Sequence, residues 1–584
     1  MTSPVPSFAF DKLPCANVYG ACSQPGTMSC SACRLVSYCS ASCQKTHWKV
    51  HKRACKDPMR SKDWLPVWIR ENRSPRFTTQ AQAEQEKECR LTGDIPLGYS
   101  LWGSSPAVDV INLDLNEKDA TMDFKLAFPA CGDFRNVLKT VNSLPSDYSG
   151  DLTILINDNI LTISARHVIL LILLGTTADE SLAADLALHF WYSAFVPVEY
   201  KEKYSEAARL FLDSLDENED ITQICAIPIT HEDCESYIRH CGVTRIPASQ
   251  ARGEYFRIMH LSLRRDYFSK IYYNLRPSHR VGLQEYRRTG VVLPFGADLS
   301  RFSEPNSSLF FSCGCWFQSD TVNPLHGWDP CEVIATGKAH GANPEDVYGC
   351  LYFFLTEQLR QFHRRLRQFN ISFKITSFGA PHLAKALLSP DKPLVEFGLP
   401  SSIRFDRIMV SNIFDEAYVG LKEALVRWSP FLSARPQAIL VGYFLDWFTS
   451  QRNGRIEGAP KALEDRLLRQ LSPRHKVPVD MPHDPKGMNN WMSMHDEVHI
   501  LYENSEPFAT YLRKQGLESI LRQTRLMLNS KEHHTIVPHR YGAPLRGSSD
   551  ALPEFVDDDA RYYNVRLSGT TWGERSVEFS RSSV

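Results

Sequence analysis

Residues 124–175 read FKLAFPACGDFRNVLKTVNSLPSDYSGDLTILINDNILTISARHVILLILLG, and the order of apolar runs and turns in them sets the fold class. Phe124 to Phe128 is a short apolar run, and Cys131, Gly132 and Asp133 make a turn after it. Phe134, Val137, Leu138 and Val141 then recur at helical spacing. Leu152 to Ile156 is a second run, rich in β-branched residues, that ends at Asn157 and Asp158. A helix capped by Ser164 and carrying Val168, Leu171 and Leu174 is expected next. Strand, turn and helix, repeated, argue for parallel strands joined by crossover helices. The apolar run Val168 to Leu174 is far shorter than the roughly 20 residues of a membrane span, so it reads as a buried element.

The same grammar returns towards the C-terminus. ISFKITSFGAPHLAKALL (371–388) and FDRIMVSNIFDEAYVGLKEALVRW (405–428) each read strand, turn, helix, and PQAILVGYFLDWF (436–448) supplies another strand. Five strands are therefore expected, around residues 125, 154, 374, 408 and 440. Their order resembles an α/β Rossmann-like fold of the class I methyltransferase kind, with a large, mainly helical insertion after the second helix. That resemblance implies cofactor contacts at Gly132, Asp133 and Asp158, with Asp406, Ser411 and Asn412 at the end of a later strand. The first turn, however, holds one glycine followed at once by an aspartate, whereas a cofactor loop needs glycines so that its backbone can approach the ligand. The plainer reading is a scaffold in which Asp133 caps a helix or pairs with Arg135 or Arg166, and Asn157 and Asp158 make a turn.

Near the N-terminus, CANVYGACSQPGTMSCSACRLVSYCSASCQKTHWKVHKRAC (15–55) concentrates potential metal ligands: Cys15, Cys22, Cys30, Cys33, Cys39, Cys43, His51 and Cys55. The pairs run C-x6-C, C-x2-C, C-x3-C and H-x3-C, and four such pairs predict two closed, structural zinc sites with no vacancy for catalysis. So short a module has too little core to fold unaided, and metal binding makes up the difference. The stretch resembles the MYND-type zinc finger through Tyr38, Cys39, Cys43, Gln44, Trp48, His51 and Cys55. That resemblance assigns Cys15, Cys22, Cys39 and Cys43 to one ion, and Cys30, Cys33, His51 and Cys55 to the other. It also implies a protein-interaction module that recognises short proline-containing peptides. The first pair departs from the family's usual C-x2-C, but loop closure grows costly only slowly with length. His47 breaks the ligand spacing and reads as a surface side chain. Lys45, Lys49, Lys52, Arg53, Lys56 and Arg60 read as a solvated basic face; the ligand order is not that of DNA-reading fingers.

A narrower likeness rests on LWGSSPAVDV (101–110), CGDFRNVLKTV (131–141), LINDN (155–159), Ala165 and Arg166. These resemble an uncharacterised fungal domain that accompanies MYND fingers, and the N-terminal domain of an axonemal dynein preassembly factor. The resulting organisation is a finger over 15–55, a linker or strap over 56–97 that packs Trp64, Trp68 and Phe77, and the first part of the Rossmann-like region over 98–195. A mainly helical insertion follows over 196–369, then the second part over 370–450 and a helical C-terminal region with a tail over 451–584. The tail reads as mobile or as a late edge strand. His231, Cys234, His240 and Cys241 fit no known metal spacing, nor do Cys313, Cys315, His326 and Cys331. His533, His534 and His539 read as loop.

A chain of 584 residues exceeds one compact core, so two to four domains are expected. A net charge of −1 excludes a surface built wholesale for nucleic acid or acidic lipid, and neither is an expected partner. MTSPVPSFAFDKLP (1–14) lacks the pattern of a signal peptide, and sixteen cysteines with a clustered set point to metal binding in the cytoplasm or nucleus. The expectation is an interaction or scaffold protein, not an enzyme, that carries two structural zinc ions and recruits protein partners. The alternative is an S-adenosylmethionine-dependent methyltransferase-like enzyme with a targeting finger.

Overall fold

The five expected strands form, and they share one sheet. The structure, a computed structural model, describes residues 9–20, 22–78, 84–85, 87–88, 98, 100–217, 231–388, 394–395 and 397–582. Most of the polar half of the linker lies outside them. In chain order the strands of the sheet are β1 (Phe124–Phe128), β2 (Leu152–Asn157), β3 (Ile371–Thr376), β4 (Arg407–Met409), β5 (Ile439–Phe444), β6 (Leu526–Leu528) and β7 (Arg575–Arg581). Their spatial order is β3-β2-β1-β4-β5-β7-β6. β1 to β5 are mutually parallel, whereas β7 runs antiparallel between β5 and β6. The connection reverses direction at β1, whose neighbours are β2 on one side and β4 on the other.

Period-2 alternation places the two cores. Leu126, Ile154, Ile156, Phe373 and Val441 face one layer, built on the helices Arg135–Ser143, Leu161–Thr176 and Val347–Gln368. Ala127, Leu155, Ile408 and Leu440 face the other, built on Ala380–Leu388, Leu421–Trp428 and Ser505–Lys514. Ser164 does not cap its helix: the helix begins at Leu161, and the Ser164 hydroxyl inside it donates to the Thr376 carbonyl at 3.1 Å. Arg407 on β4 is fully buried and donates to both Glu117 oxygens at 2.8 Å, which fastens the segment after residue 110 beneath the sheet.

The C-terminal region is a correction to the sequence reading. Besides helices it supplies β6 and β7, and β7 is an interior strand, neither a mobile tail nor an edge. Its polar sequence hides this because its buried charges are paired. Glu578 accepts the backbone N–H groups of Thr535, Ile536 and Val537, and Arg575 donates to Asn504. Among the described residues the insertion is mainly helical, with one short antiparallel pair, Phe195–Val196 with Glu304–Pro305, and an isolated bridge between Phe310 and Trp316. No helix among the described residues is long and apolar enough to cross a membrane.

The finger packs on this body. Val281 of the helix Pro277–Thr289 shares a cluster with Leu35, Val36, Tyr38 and Met59. The Ser278 hydroxyl donates to the Cys33 carbonyl at 2.7 Å, and Arg280 donates to the Met59 and Ser61 carbonyls at 3.1 Å. Arg280 also stands 5.3 Å from the Trp64 ring. In the strap, Trp68 is buried with Phe77 edge-on to it, and Arg73 holds Asp266 at 2.7 Å.

Candidate metal centre

The finger is built from a short hairpin and one helix. Met28–Ser29 pairs antiparallel with Ser37–Tyr38, and Cys30 and Cys33 lie in the hairpin turn. The helix Ala41–Cys55 starts at Ser40, whose side chain accepts the Cys43 N–H at 3.2 Å. Four-residue spacing stacks His51 above Cys55 on the inner face of that helix.

Two donor sets result. The thiols of Cys15, Cys22, Cys39 and Cys43 lie within 4.8 Å of one another, and so do the donors of Cys30, Cys33, His51 and Cys55. Within the first set, sulfur–sulfur distances are 3.5 Å for Cys22 with Cys39 and 3.4 Å for Cys39 with Cys43. Within the second, Cys30 and Cys55 stand 3.9 Å apart, and Cys33 Sγ is 3.4 Å from His51 Nε2. A tetrahedron with zinc–sulfur bonds of about 2.3 Å has edges of about 3.8 Å, so both sets fit zinc. The two sets are those the resemblance implied.

The widened first gap closes through a single 3-10 turn, Val18–Gly20. Asn17 O accepts from Gly20 N at 3.1 Å and from Cys22 N at 3.4 Å, while Cys15 N donates to Gln24 O at 3.0 Å. The extra residues are absorbed in that turn, and Cys15 and Cys22 still converge.

Burial pushes the Cys15 and Cys55 thiols up, and Cys33 up to about 12, so these groups resist crowding as free thiolates. Zinc reverses that balance, because a coordinating thiol is deprotonated outright. Burial pulls His51 down to about 4, which leaves the imidazole neutral, as a ligand must be. Arg60 closes the second site by donating to the Cys55 and Ala32 carbonyls.

His47 is a correction: it is buried, not a surface group. It stands one helical turn before His51 and stacks on it, and its Nδ1 lies 3.1 Å from the Tyr38 hydroxyl. It buttresses the ligand ring. Sequence spacing excluded it as a ligand, but the same four-residue step that faces His51 inward also faces His47 inward.

Of the residues proposed for a methyltransferase-like cofactor, Gly132, Asp133, Asp158 and Asn412 stand at the carboxyl edge of the parallel strands, and Asp406 does not. Gly132 is left-handed (φ +65), and its N–H donates to Asp158 Oδ2 at 2.9 Å. Asp158 also accepts from Ile160 N at 3.0 Å, and burial pushes its carboxyl up to about 6. Asp133 pairs with Arg135 and accepts the Gly103 N–H at 2.8 Å; it is not the N-cap, which is Phe134. A Cβ on Gly103 would strike the Arg135 guanidinium, so a side chain where LWGSSPAVDV crosses this helix start would have to displace that arginine. The space left beside Gly132, Asp133 and Arg166 is a cavity of about 10 Å³. Asn157 ties strand ends together, donating to the Pro129 and Phe378 carbonyls at 2.7 and 2.8 Å. Arg166 donates to the Ser308 and Trp191 carbonyls, at 3.1 and 2.8 Å, instead of pairing with Asp133.

Asp406 is a further correction. It precedes β4 and accepts from Lys125 N at 3.0 Å and from the Ser433 hydroxyl at 2.9 Å. That is the amino edge of the parallel strands, opposite Gly132 and Asp158. Asn412 follows β4 at the carboxyl edge, next to the left-handed Ser411.

The other cysteine and histidine groups singled out from the sequence are ordinary. His240 Nε2 lies 2.7 Å from the Phe310 carbonyl, Cys241 is buried, and Cys313 and Cys315 are exposed. Cys331 takes a contact from Asn564, and burial pulls His326 down to about 4. His534 Nδ1 lies 3.0 Å from the Val537 carbonyl, and His539 is buried. The side chains of His231 and Cys234 lie outside the described residues.

These features define a zinc-finger protein with a large α/β body. Residues 15–55 match the family model of the MYND finger, a zinc-binding protein-interaction domain. Residues 101–196 match a second model, a domain of unknown function (DUF4470). No solved structure matches the chain.

Proposed function

We propose that this protein is a zinc-dependent scaffold: its finger recruits partner proteins through short proline-containing peptides, and its body is a Rossmann-like frame without catalysis. The observation that carries this reading is the filled carboxyl edge of β1. Asp133 and Asp158 spend their oxygens on Gly103, Gly132, Ile160 and Arg135, and the cavity beside Gly132, Asp133 and Arg166 is only about 10 Å³. The eight residues Cys15, Cys22, Cys30, Cys33, Cys39, Cys43, His51 and Cys55 hold two zinc ions in this reading. With its inner face on the body, the finger keeps Trp48 (37% exposed) and Met28 (45%) outward, and a tryptophan is a favoured anchor for a peptide. The likeness of residues 98–195 to a dynein preassembly factor also supports an assembly role, in the cytoplasm or nucleus of a fungal cell.

The methyltransferase-like alternative is favoured by one observation. The sheet order β3-β2-β1-β4-β5-β7-β6, with the last strand antiparallel and inserted beside β5, resembles the sheet of that enzyme class and supports this reading. Fold alone does not carry function. Calorimetric titration with S-adenosylmethionine separates the two readings: no heat of binding is expected, and micromolar binding that Asp158→Ala abolishes would overturn the scaffold. For the finger, fluorescence anisotropy with a panel of proline-containing peptides should detect binding that Trp48→Ala weakens about ten-fold or more. A panel without binders, or a variant that binds as well as the parent, removes the peptide-recruiting half of the reading.

A further inference from the structure

The C-terminal region carries a group of side chains that neither the finger nor the sheet uses. The helices Lys461–His475 and Pro485–Leu501 pack with the 3-10 turn Ile456–Gly458 around a small apolar cluster that includes Ile456, Leu468, Met494 and Val498. His495 and His499 stand one turn apart on the second helix and so face the same way. Glu457 reaches them from the 3-10 turn, and Glu464 from the first helix.

The geometry points to a third metal site, formed by Glu457, His495 and His499, that takes a divalent transition-metal ion of the zinc class. Donor atoms of these three residues lie within 4.8 Å of one another, a bound that each finger set also meets. One carboxylate oxygen, Glu457 Oε1, is shared: it is 3.1 Å from His499 Nε2 and 4.0 Å from His495 Nδ1. Two imidazoles converging on one oxygen leave their nitrogens facing a common point.

The other nitrogen of His495 is also accounted for. Its Nε2 lies 3.0 Å from Glu464 Oε1, so Nε2–H donates to that carboxylate and turns Nδ1 towards Glu457. A carboxylate behind a histidine is how proteins fix the tautomer and orientation of a metal ligand. Trp491 stacks on the same ring at 4.8 Å and holds its plane. Both histidine side chains are well enclosed, at 14% and 9% exposure, while Glu457 remains half open at 51%, which leaves an entry path.

Imidazole with carboxylate is a donor set for zinc and its neighbours, not for magnesium or calcium. The benefit is structural. The apolar cluster beneath these helices is small, and an ion would clip the 3-10 turn to the helix Pro485–Leu501 across it. Separate histidine–glutamate hydrogen bonds, without an ion, are the competing account, and stoichiometry distinguishes the two.

Full-length protein equilibrated with micromolar free zinc should carry three ions by native mass spectrometry, and the double variant His495→Gln/His499→Gln should carry two. Cobalt in the third site should give ligand-field bands without the thiolate charge-transfer absorption of the finger sites. Glu464→Gln removes no ligand and should weaken the third ion about 10–100-fold. A finger that binds fewer ions than proposed lowers the parent and the double variant equally, so the difference of one still reports this site alone. Equal stoichiometry in parent and double variant overturns the proposal. Should the double variant fail to fold, the cobalt spectrum of the parent decides: only thiolate-type sites filling would sink the inference.

Discussion

Cys33→Ser is expected to cost the protein one zinc ion and to unfold the finger against an otherwise standing sheet. Cys33 is buried at the centre of the second donor set, with His51 Nε2 at 3.4 Å. Structural zinc contributes about 10–16 kcal/mol in finger peptides, and a serine hydroxyl does not replace a thiolate in a tetrahedral site. The damage should spread beyond the finger. The Cys33 carbonyl accepts from Ser278, Arg280 reaches the carbonyls that follow the finger helix, and Val281 packs into the finger's own cluster. Native mass spectrometry should show one finger ion fewer, and limited proteolysis should open both the finger and the helix Pro277–Thr289. Cys22→Ser in the first set is expected to do less, because Cys22, Cys39 and Cys43 are only half-buried. Retention of every ion in Cys33→Ser, with an unchanged melting temperature, would refute the assignment.

Most ligand pairs were legible because their spacing is local, since a pair two to four residues apart reaches one ion whatever the rest of the chain does, whereas the grouping of pairs into two sets came from the MYND resemblance alone. The 3-10 turn that closes the C-x6-C gap was not legible, because it rests on backbone hydrogen bonds accepted by the Asn17 carbonyl. Strand positions were legible for a similar reason, since Leu152 to Ile156 and Ile439 to Val441 are apolar runs between turns. Strand direction and neighbours depend on pairing across hundreds of residues, and this is where Asp406 was misplaced. It precedes its strand, so in a parallel sheet it stands at the edge opposite Gly132 and Asp158. Charged residues caused the other losses. Arg407, Arg575 and Glu578 are almost wholly buried, and a residue-by-residue reading of hydropathy assigns such side chains to the surface. Only the tertiary structure supplies the partners that make their burial tolerable.

Deletion of residues 569–584 should abolish the native fold, although the sequence there looks like a dispensable tail. β7 pairs with β5 through five residues and with β6 through three, so its loss leaves β6 without a neighbour and turns β5 into a bare edge. Val577, Phe579 and Trp572 are buried, and burial of side chains of this size contributes roughly 1.5–3 kcal/mol each. Phe579 meets the Phe414 ring edge-on at 5.8 Å, so the second core opens as well. The backbone N–H groups of Thr535, Ile536 and Val537 lose Glu578 and, where still buried, cost about 1–3 kcal/mol apiece. Together these losses approach the whole stability of a typical domain, about 5–15 kcal/mol. Glu578→Gln is the graded counterpart: the amide keeps one acceptor oxygen, so a loss of about 1–3 kcal/mol is expected in urea unfolding, without loss of the fold. A mobile tail predicts the opposite pattern, in which the deletion is silent by circular dichroism and gel filtration. A deletion variant that melts within a degree of the parent would show that the sheet stands without its interior antiparallel strand.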